Sequence, residues 1–161
     1  MVRDVVAIFG VIAGFTYYVI VVRNSQRNQK HQLETRQAQL FMNLYETWST
    51  PEFRKRSNWV NHVIEYEDSE DFHSKYGRTG DQDSFADWAS VDAYYEGIGV
   101  LVRRGLIDID LVDDLLHTSI IGTWEKMGPE FLESRALGTG SPTLFSDFEF
   151  LYNEIMKREN H

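Results

Sequence analysis

The chain has 161 residues, 16 Lys and Arg against 25 Asp and Glu, a formal charge of -9 and no cysteine. Without cysteine there is no disulfide framework, thiolate zinc site, cysteine nucleophile or thioether haem attachment, and the acidic bulk argues against general nucleic-acid binding. Four Trp, eight Tyr and ten Phe beside three Pro suit a packed, mostly helical chain.

The charge is unevenly divided. Residues 1–36 carry five Lys/Arg against two acids, a local +3, and the remaining residues carry -12. Within the basic part, residues 5–22 (VVAIFGVIAGFTYYVIVV) are 18 consecutive residues without charge. As a helix they span about 27 Å, close to the roughly 30 Å hydrocarbon core of a bilayer, with Arg3 and Arg23 able to snorkel. The run ends in VVRNSQRNQK rather than in a small-residue cleavage site, so it reads as an anchor and not as a signal peptide. Arg23, Arg27 and Lys30 on its C-terminal side place residues 23 onward in the cytoplasm and the short N-terminus outside the cell membrane. Gly10 and Gly14 form a G-x-x-x-G strip on which two helices can approach closely.

Residues 23–48 continue as a basic flank and amphipathic stalk, with Leu33, Leu40, Phe41, Leu44 and Trp48 at helical spacing. At STPEF, Ser49 or Thr50 caps a new helix whose first turn holds Pro51. That helix carries Phe53, Trp59, Val60, Val63 and Ile64, and near its start the cluster Arg54, Lys55, Arg56. Cations there oppose the helix dipole, so they are expected to meet acids, headgroups or a ligand.

Residues 65–84 are polar and acid-rich and read as an exposed loop. Counted from Asp81, acids fall at calcium-loop positions, but Phe85 and Ala86 stand where a ligand and a glycine belong, so no EF-hand is expected. A capping box at Ser84 and Asp87 opens the next helix, to residue 104, which is apolar on most faces and so central. Gly97 and Gly99 within it permit close packing. Arg103 and Arg104 suit its end, and Gly105 supplies a left-handed stop. Asp108 or Asp110 caps the following helix, which packs antiparallel on the one before it. Gly128 and Pro129 break it, a short segment runs through Arg135, and Ser141 and Pro142 open the last helix. The fold class is all-α: a transmembrane helix over 1–22, the stalk over 23–48, and a cytosolic bundle of about four to five helices over 49–161.

Five histidines show no metal-binding spacing, and a P-loop, a nucleophile elbow and a dinucleotide fingerprint are absent from the sequence. Asp92 and Glu96, one turn apart on the most apolar helix, must be paired with Arg54, Arg56, Arg103 or Arg135, or raised in pKa. A carboxylate metal site involving His117 is the remaining reading, without the E-x-x-H spacing of that class. No catalytic, cofactor or metal residue is assigned.

The stretch WASVDAYYEGIGVLVRRGLIDIDLVDDLLHTSIIGTWEKMGPEFLESR resembles an uncharacterised prokaryotic family of small single-pass membrane proteins, one of the domains of unknown function. The resemblance rests on Glu96, Gly99, Leu101, Gly105, Ile107, Asp108, Leu111, Trp124 and Arg135, and spans roughly residues 36–155. It implies an N-terminal anchor and a helical domain, and no mechanism. The functional expectation is a non-enzymatic, membrane-anchored interaction module, an accessory subunit or scaffold. Its partners are the lipid bilayer and another membrane protein or a second copy of itself. The alternative is a membrane-bound sensor or effector, as in antiviral defence, whose basic residues Arg54, Lys55, Arg56, Arg103 and Arg104 bind a small anionic, nucleotide-like signal.

Overall fold

A computed structural model describes residues 2–159, with side-chain surroundings from residue 13 onward. Among them there are six helices and no strand: α1 (Val2–Ser49), α2 (Pro51–His62), α3 (Ser69–Tyr76), α4 (Gln82–Arg103), α5 (Ile109–Leu137) and α6 (Ser146–Glu159). The chain divides into two compact units, Met1–Gln39 and Leu40–His161.

The first unit is helix. Among the described residues no helix is long and apolar enough to cross a membrane. The charge-free run 5–22 starts among residues 1–12, whose side chains lie outside the described ones, as does the packing of Gly10. Of the part that is described, Phe15, Tyr17, Tyr18, Ile20 and Val21 are exposed, and a Cβ on Gly14 would meet nothing within 4 Å. Lys30 and Glu34 pair across one turn at 3.8 Å, a surface contact of small worth.

The second unit begins inside α1. Phe41 is fully buried, and Leu40, Leu44, Tyr45 and Trp48 pack against the core. The hydroxyl of Tyr94 donates to the Leu44 carbonyl at 2.6 Å. Thr50 caps α2, its hydroxyl accepting from the Phe53 N–H at 3.2 Å, with Pro51 at the first helical position where its missing N–H costs nothing.

Residues 65–84, expected as a loop, contain α3. Asp68 caps it by accepting from the Asp71 N–H at 2.9 Å, and Phe72 is fully buried against the rings of Tyr66 at 5.0 Å and Trp88 at 5.3 Å. Phe72 and Tyr76 are its only large apolar side chains, too few to stand out in an acid-rich stretch, yet the burial of Phe72 holds the helix. The cap of α4 is likewise earlier than expected. Asp81 accepts from the Asp83 N–H, and the Ser84 hydroxyl donates to Asp81 at 2.6 Å, so Ser84 lies inside the helix it was expected to open.

Helix α4 sits at the centre, with Trp88, Val91, Asp92, Tyr95, Ile98 and Gly99 buried. Its principal neighbour is α6 rather than α5, which differs from the expected hairpin of consecutive helices. Gly99 explains the approach: a Cβ there would lie 2.0 Å from the Asp147 carbonyl oxygen. Gly97 faces open space instead.

The α4–α5 corner turns at Gly105, with φ +66, and Asp108 caps α5 by accepting from the Asp110 N–H at 2.9 Å. Space around Gly105 is open, so only the backbone limits substitution. Gly105→Val should cost on the order of 1–2 kcal/mol, because a β-branched residue is disfavoured in the left-handed region. Thermal melting beside the parent reads this directly, and an unchanged midpoint would mean the turn relaxes freely.

Helix α5 passes through Gly128 and Pro129 without breaking. Proline removes one hydrogen bond from the ladder, but Met127, Glu130, Phe131 and Ser134 on either side are buried, and that packing carries the helix across the gap. Gly128 is required because the Trp124 ring lies on it, 2.7 Å from where a Cβ would be. After the left-handed C-cap Gly138, the chain makes turns before α6, which starts at Ser146 and not at Pro142. The Ser141 hydroxyl accepts from the Thr143 N–H at 3.3 Å, so it orders a turn upstream of the helix.

Candidate functional site

The basic residues singled out from sequence do not converge on one place. Arg54 lies over the Trp48 ring at 4.3 Å. Arg56 pairs with Asp87 at 3.0 Å, and Lys55 lines a shallow surface depression with both and with Glu52. Arg103 pairs with Asp147 at 2.9 Å and lies over the Phe150 ring at 4.7 Å, fastening α4 to α6. Arg104 is the exposed C-cap of α4. Arg23, Arg27 and Lys30 are exposed on α1.

The carboxylates of α4 have different surroundings. Glu96 accepts from the Phe148 N–H at 2.6 Å, satisfying a donor in the first turn of α6 where the helix dipole favours an anion. Burial still raises its pKa. Asp92 is fully buried and neither oxygen has a hydrogen-bond partner among the described residues. No arginine reaches it, and burial alone pushes its carboxyl well above the usual range, which favours its neutral form.

Sequence reasoning passed over Glu130, which the expected helix break had placed outside α5. It is buried, accepts from the Ser69 hydroxyl at 3.1 Å and faces His73 Nε2 at 3.2 Å, and burial raises its pKa. Nearby, the Tyr66 hydroxyl donates to the Lys126 carbonyl at 2.6 Å. Its pKa is pushed up to about 12, chiefly by burial and then by the charges of Glu130 and Asp92. A second buried polar group surrounds the Tyr95 hydroxyl: Trp48, Ser119, Ser57 and Thr123 lie beside it, none at hydrogen-bonding geometry. His117 sits between Asp113 at 2.6 Å and Glu159 at 2.9 Å. The Asp113 contact is the main cause of its raised pKa, and the three tie α5 to α6. Among the described residues no group of His, Asp and Glu could hold a metal ion.

A cleft of about 730 Å³ lies between the α3–α4 connection, α4, and the α5–α6 connection. Its aromatic surface comes from Phe85, Trp88 and Phe145. The Trp88 indole N–H donates to the Tyr76 carbonyl at 2.9 Å. Phe145 has φ +51, rare for a residue with a side chain, and its ring packs tilted against that of Phe131, 4.4 Å between centroids. Arg135 holds the same wall: its Nε donates to the Leu144 carbonyl at 2.7 Å and Nη1 meets Glu149 at 2.5 Å. The strained corner is thus fixed from both sides. Sequence gave no sign of this cleft, because its walls come from segments about 50 residues apart.

No curated protein and no solved structure matches the chain. A family description does match, over residues 4–155, which takes in α1 from its third residue and the first ten of the fourteen residues of α6. The chain therefore belongs to the family described as Domain of unknown function (DUF4760).

Proposed function

We propose that this protein is a membrane-tethered, non-enzymatic interaction module. Residues 5–22 lie in a bilayer as a single pass, Arg23, Arg27 and Lys30 stop them at the cytoplasmic face, and the helical bundle engages a partner or a second copy. The observation that carries this reading is the uncovered apolar girdle of α1. Phe15, Tyr17, Tyr18, Ile20 and Val21 are between 44 and 72% exposed, and at 3.6 residues per turn they spread over more than half of the helix circumference. A helix apolar all round is covered by lipid or by other helices. The preceding ten residues of the charge-free run extend the same character to residue 5, and the basic flank matches the distribution that sets orientation in a membrane.

Alkaline extraction and flotation of the full chain test the tether: the protein should stay with the lipid fraction. Gly14→Asp should lower that fraction, since an acid near the middle of a span costs about 2.5–3.5 kcal/mol. A chain that leaves the membrane in alkali would overturn the single-pass reading. Cross-linking in mild detergent tests the interaction role, and a strictly monomeric species without a cross-linked neighbour would count against it.

A further inference from the structure

We propose that the 730 Å³ cleft is a binding site for a small molecule with a flat aromatic body and one anionic group, such as an aryl carboxylate or a nucleoside monophosphate. This goes beyond the tethering role and does not depend on it. The size lies within the range of small-molecule pockets, which combine apolar walls with a few placed polar groups. Here the apolar part is the rings of Phe85, Trp88 and Phe145, next to Ala89 and Ala93. Phe85, Ala89 and Ala93 are spaced four apart along α4, so the helix presents two truncated side chains beside a ring and leaves a flat slot. The Phe85 and Trp88 rings meet edge to face at 5.2 Å; Trp88 is buried, and the half-buried Phe85 and Phe145 supply the accessible ring surface.

Charge selects the ligand's sign. The protein has 25 acids among its 161 residues, yet none of the fourteen residues lining the cleft is Asp or Glu. Two of them, Arg78 and His73, are basic. His73 is compensated by the buried Glu130 behind it. Arg78 is exposed, lies 5.2 Å from the Phe85 ring centroid, and has no carboxylate in ion-pair distance among the described residues. Its guanidinium is therefore set beside the aromatic slot and can take a carboxylate or phosphate through two parallel N–H donors. The hydroxyls of Ser134 and Thr139 are engaged with each other at 3.0 Å. They order the opposite wall, leaving Arg78 as the anchor for the anion.

The test is calorimetric titration of the full chain in lipid nanodiscs, with empty nanodiscs as blank. The probes are AMP and 2-naphthoate, with adenosine and 2-naphthol as uncharged counterparts. At least one anion should bind below about 1 mM, and more tightly than its uncharged counterpart. Preference between AMP and 2-naphthoate tells a nucleotide source from an aryl carboxylate source. Arg78→Ala should weaken the anion about tenfold, or about 1.4 kcal/mol, and bring it level with the uncharged molecule. Arg104→Ala, outside the cleft, should change nothing. Ala89→Trp should fill the slot and abolish binding. Because Ala89 is half-buried, the exposed Ala93→Trp serves as a second filler whose fold is checked by circular dichroism. Failure of both anions to bind, or binding that survives Arg78→Ala and a folded Ala93→Trp undiminished, would overturn the proposal. A chain that binds these anions but leaves the membrane in alkali would keep the cleft and lose the tether.

Discussion

Asp92→Asn should make the protein more stable at neutral pH, by on the order of 2 kcal/mol, which for a chain of this size is roughly 4–8 °C in melting temperature. Removing a native acid from a core is rarely stabilising, so the sign matters. Asp92 is fully buried without a hydrogen-bond partner among the described residues, and burial places its folded pKa well above the usual value. Below the unfolded pKa of about 3.9 both states hold the proton and the side chain has no pH-dependent cost. As pH rises through that value only the unfolded chain ionises, so the folded state is progressively disfavoured until the folded pKa is reached. Asparagine has nearly the same shape and no such titration. The gain of the variant over the parent should thus be near zero at pH 4 and largest at pH 7. Glu96 and Glu130 are also raised but are common to both proteins and cancel in the difference. Melting the two at pH 4 and 7 decides the matter, and a difference that does not grow with pH would mean that Asp92 is compensated by a charge.

The largest loss is expected from the smallest change in the chain, Gly99→Ala. The added carbon would sit 2.0 Å from the Asp147 carbonyl oxygen and 2.5 Å from its carbon. Both are backbone atoms, so α4 and the start of α6 must separate. Separation strains three other contacts: the Glu96 cap on Phe148, the Arg103–Asp147 pair, and the stacked rings of Tyr95 and Phe148 at 5.0 Å. A loss of about 3 kcal/mol, at the upper end for overpacked cores, is expected. Gly97→Ala is the matched control. It lies two residues away in the same helix with open space at its Cβ, so it should be neutral or gain up to about 1 kcal/mol from helix propensity. Thermal melting of the pair separates packing from propensity, and equal effects at the two glycines would refute the close approach.

Much of the architecture is legible in the sequence where a local rule and the packed structure agree. Thr50 with Pro51, and Gly105 with Asp108, mark helix ends through backbone chemistry that a few neighbouring residues determine. The rest depends on distant partners. Helix α3 hides in an acidic stretch because its one buried ring, Phe72, is held by Tyr66 and Trp88. Pro129 reads locally as a stop, but the buried side chains around it outweigh one missing hydrogen bond. Ser141 and Pro142 read as a helix start, whereas the positive φ of Phe145 postpones it, and that strain is sustained by Phe131 and Arg135 from another helix. For the site, Asp92 and Glu96 stand out as charges on an apolar helix. Which one caps a helix and which is left unpaired depends on α6. The cleft is illegible for the same reason: the absence of acids matters only once its separate walls come together.

The burial of Phe41, with Trp48 packed beside the core, also determines where the polypeptide can be severed. A protease that nicks α1 between residues 23 and 39 would release a fragment retaining every aromatic ring of the bundle's interior. A nick after Tyr45 would carry away Phe41 and the Leu44 carbonyl that receives Tyr94, leaving a fragment that opens and is digested further. Limited digestion should therefore accumulate one product beginning near Leu40, the first residue of the second compact unit, although nothing in the helix itself marks that point as an end.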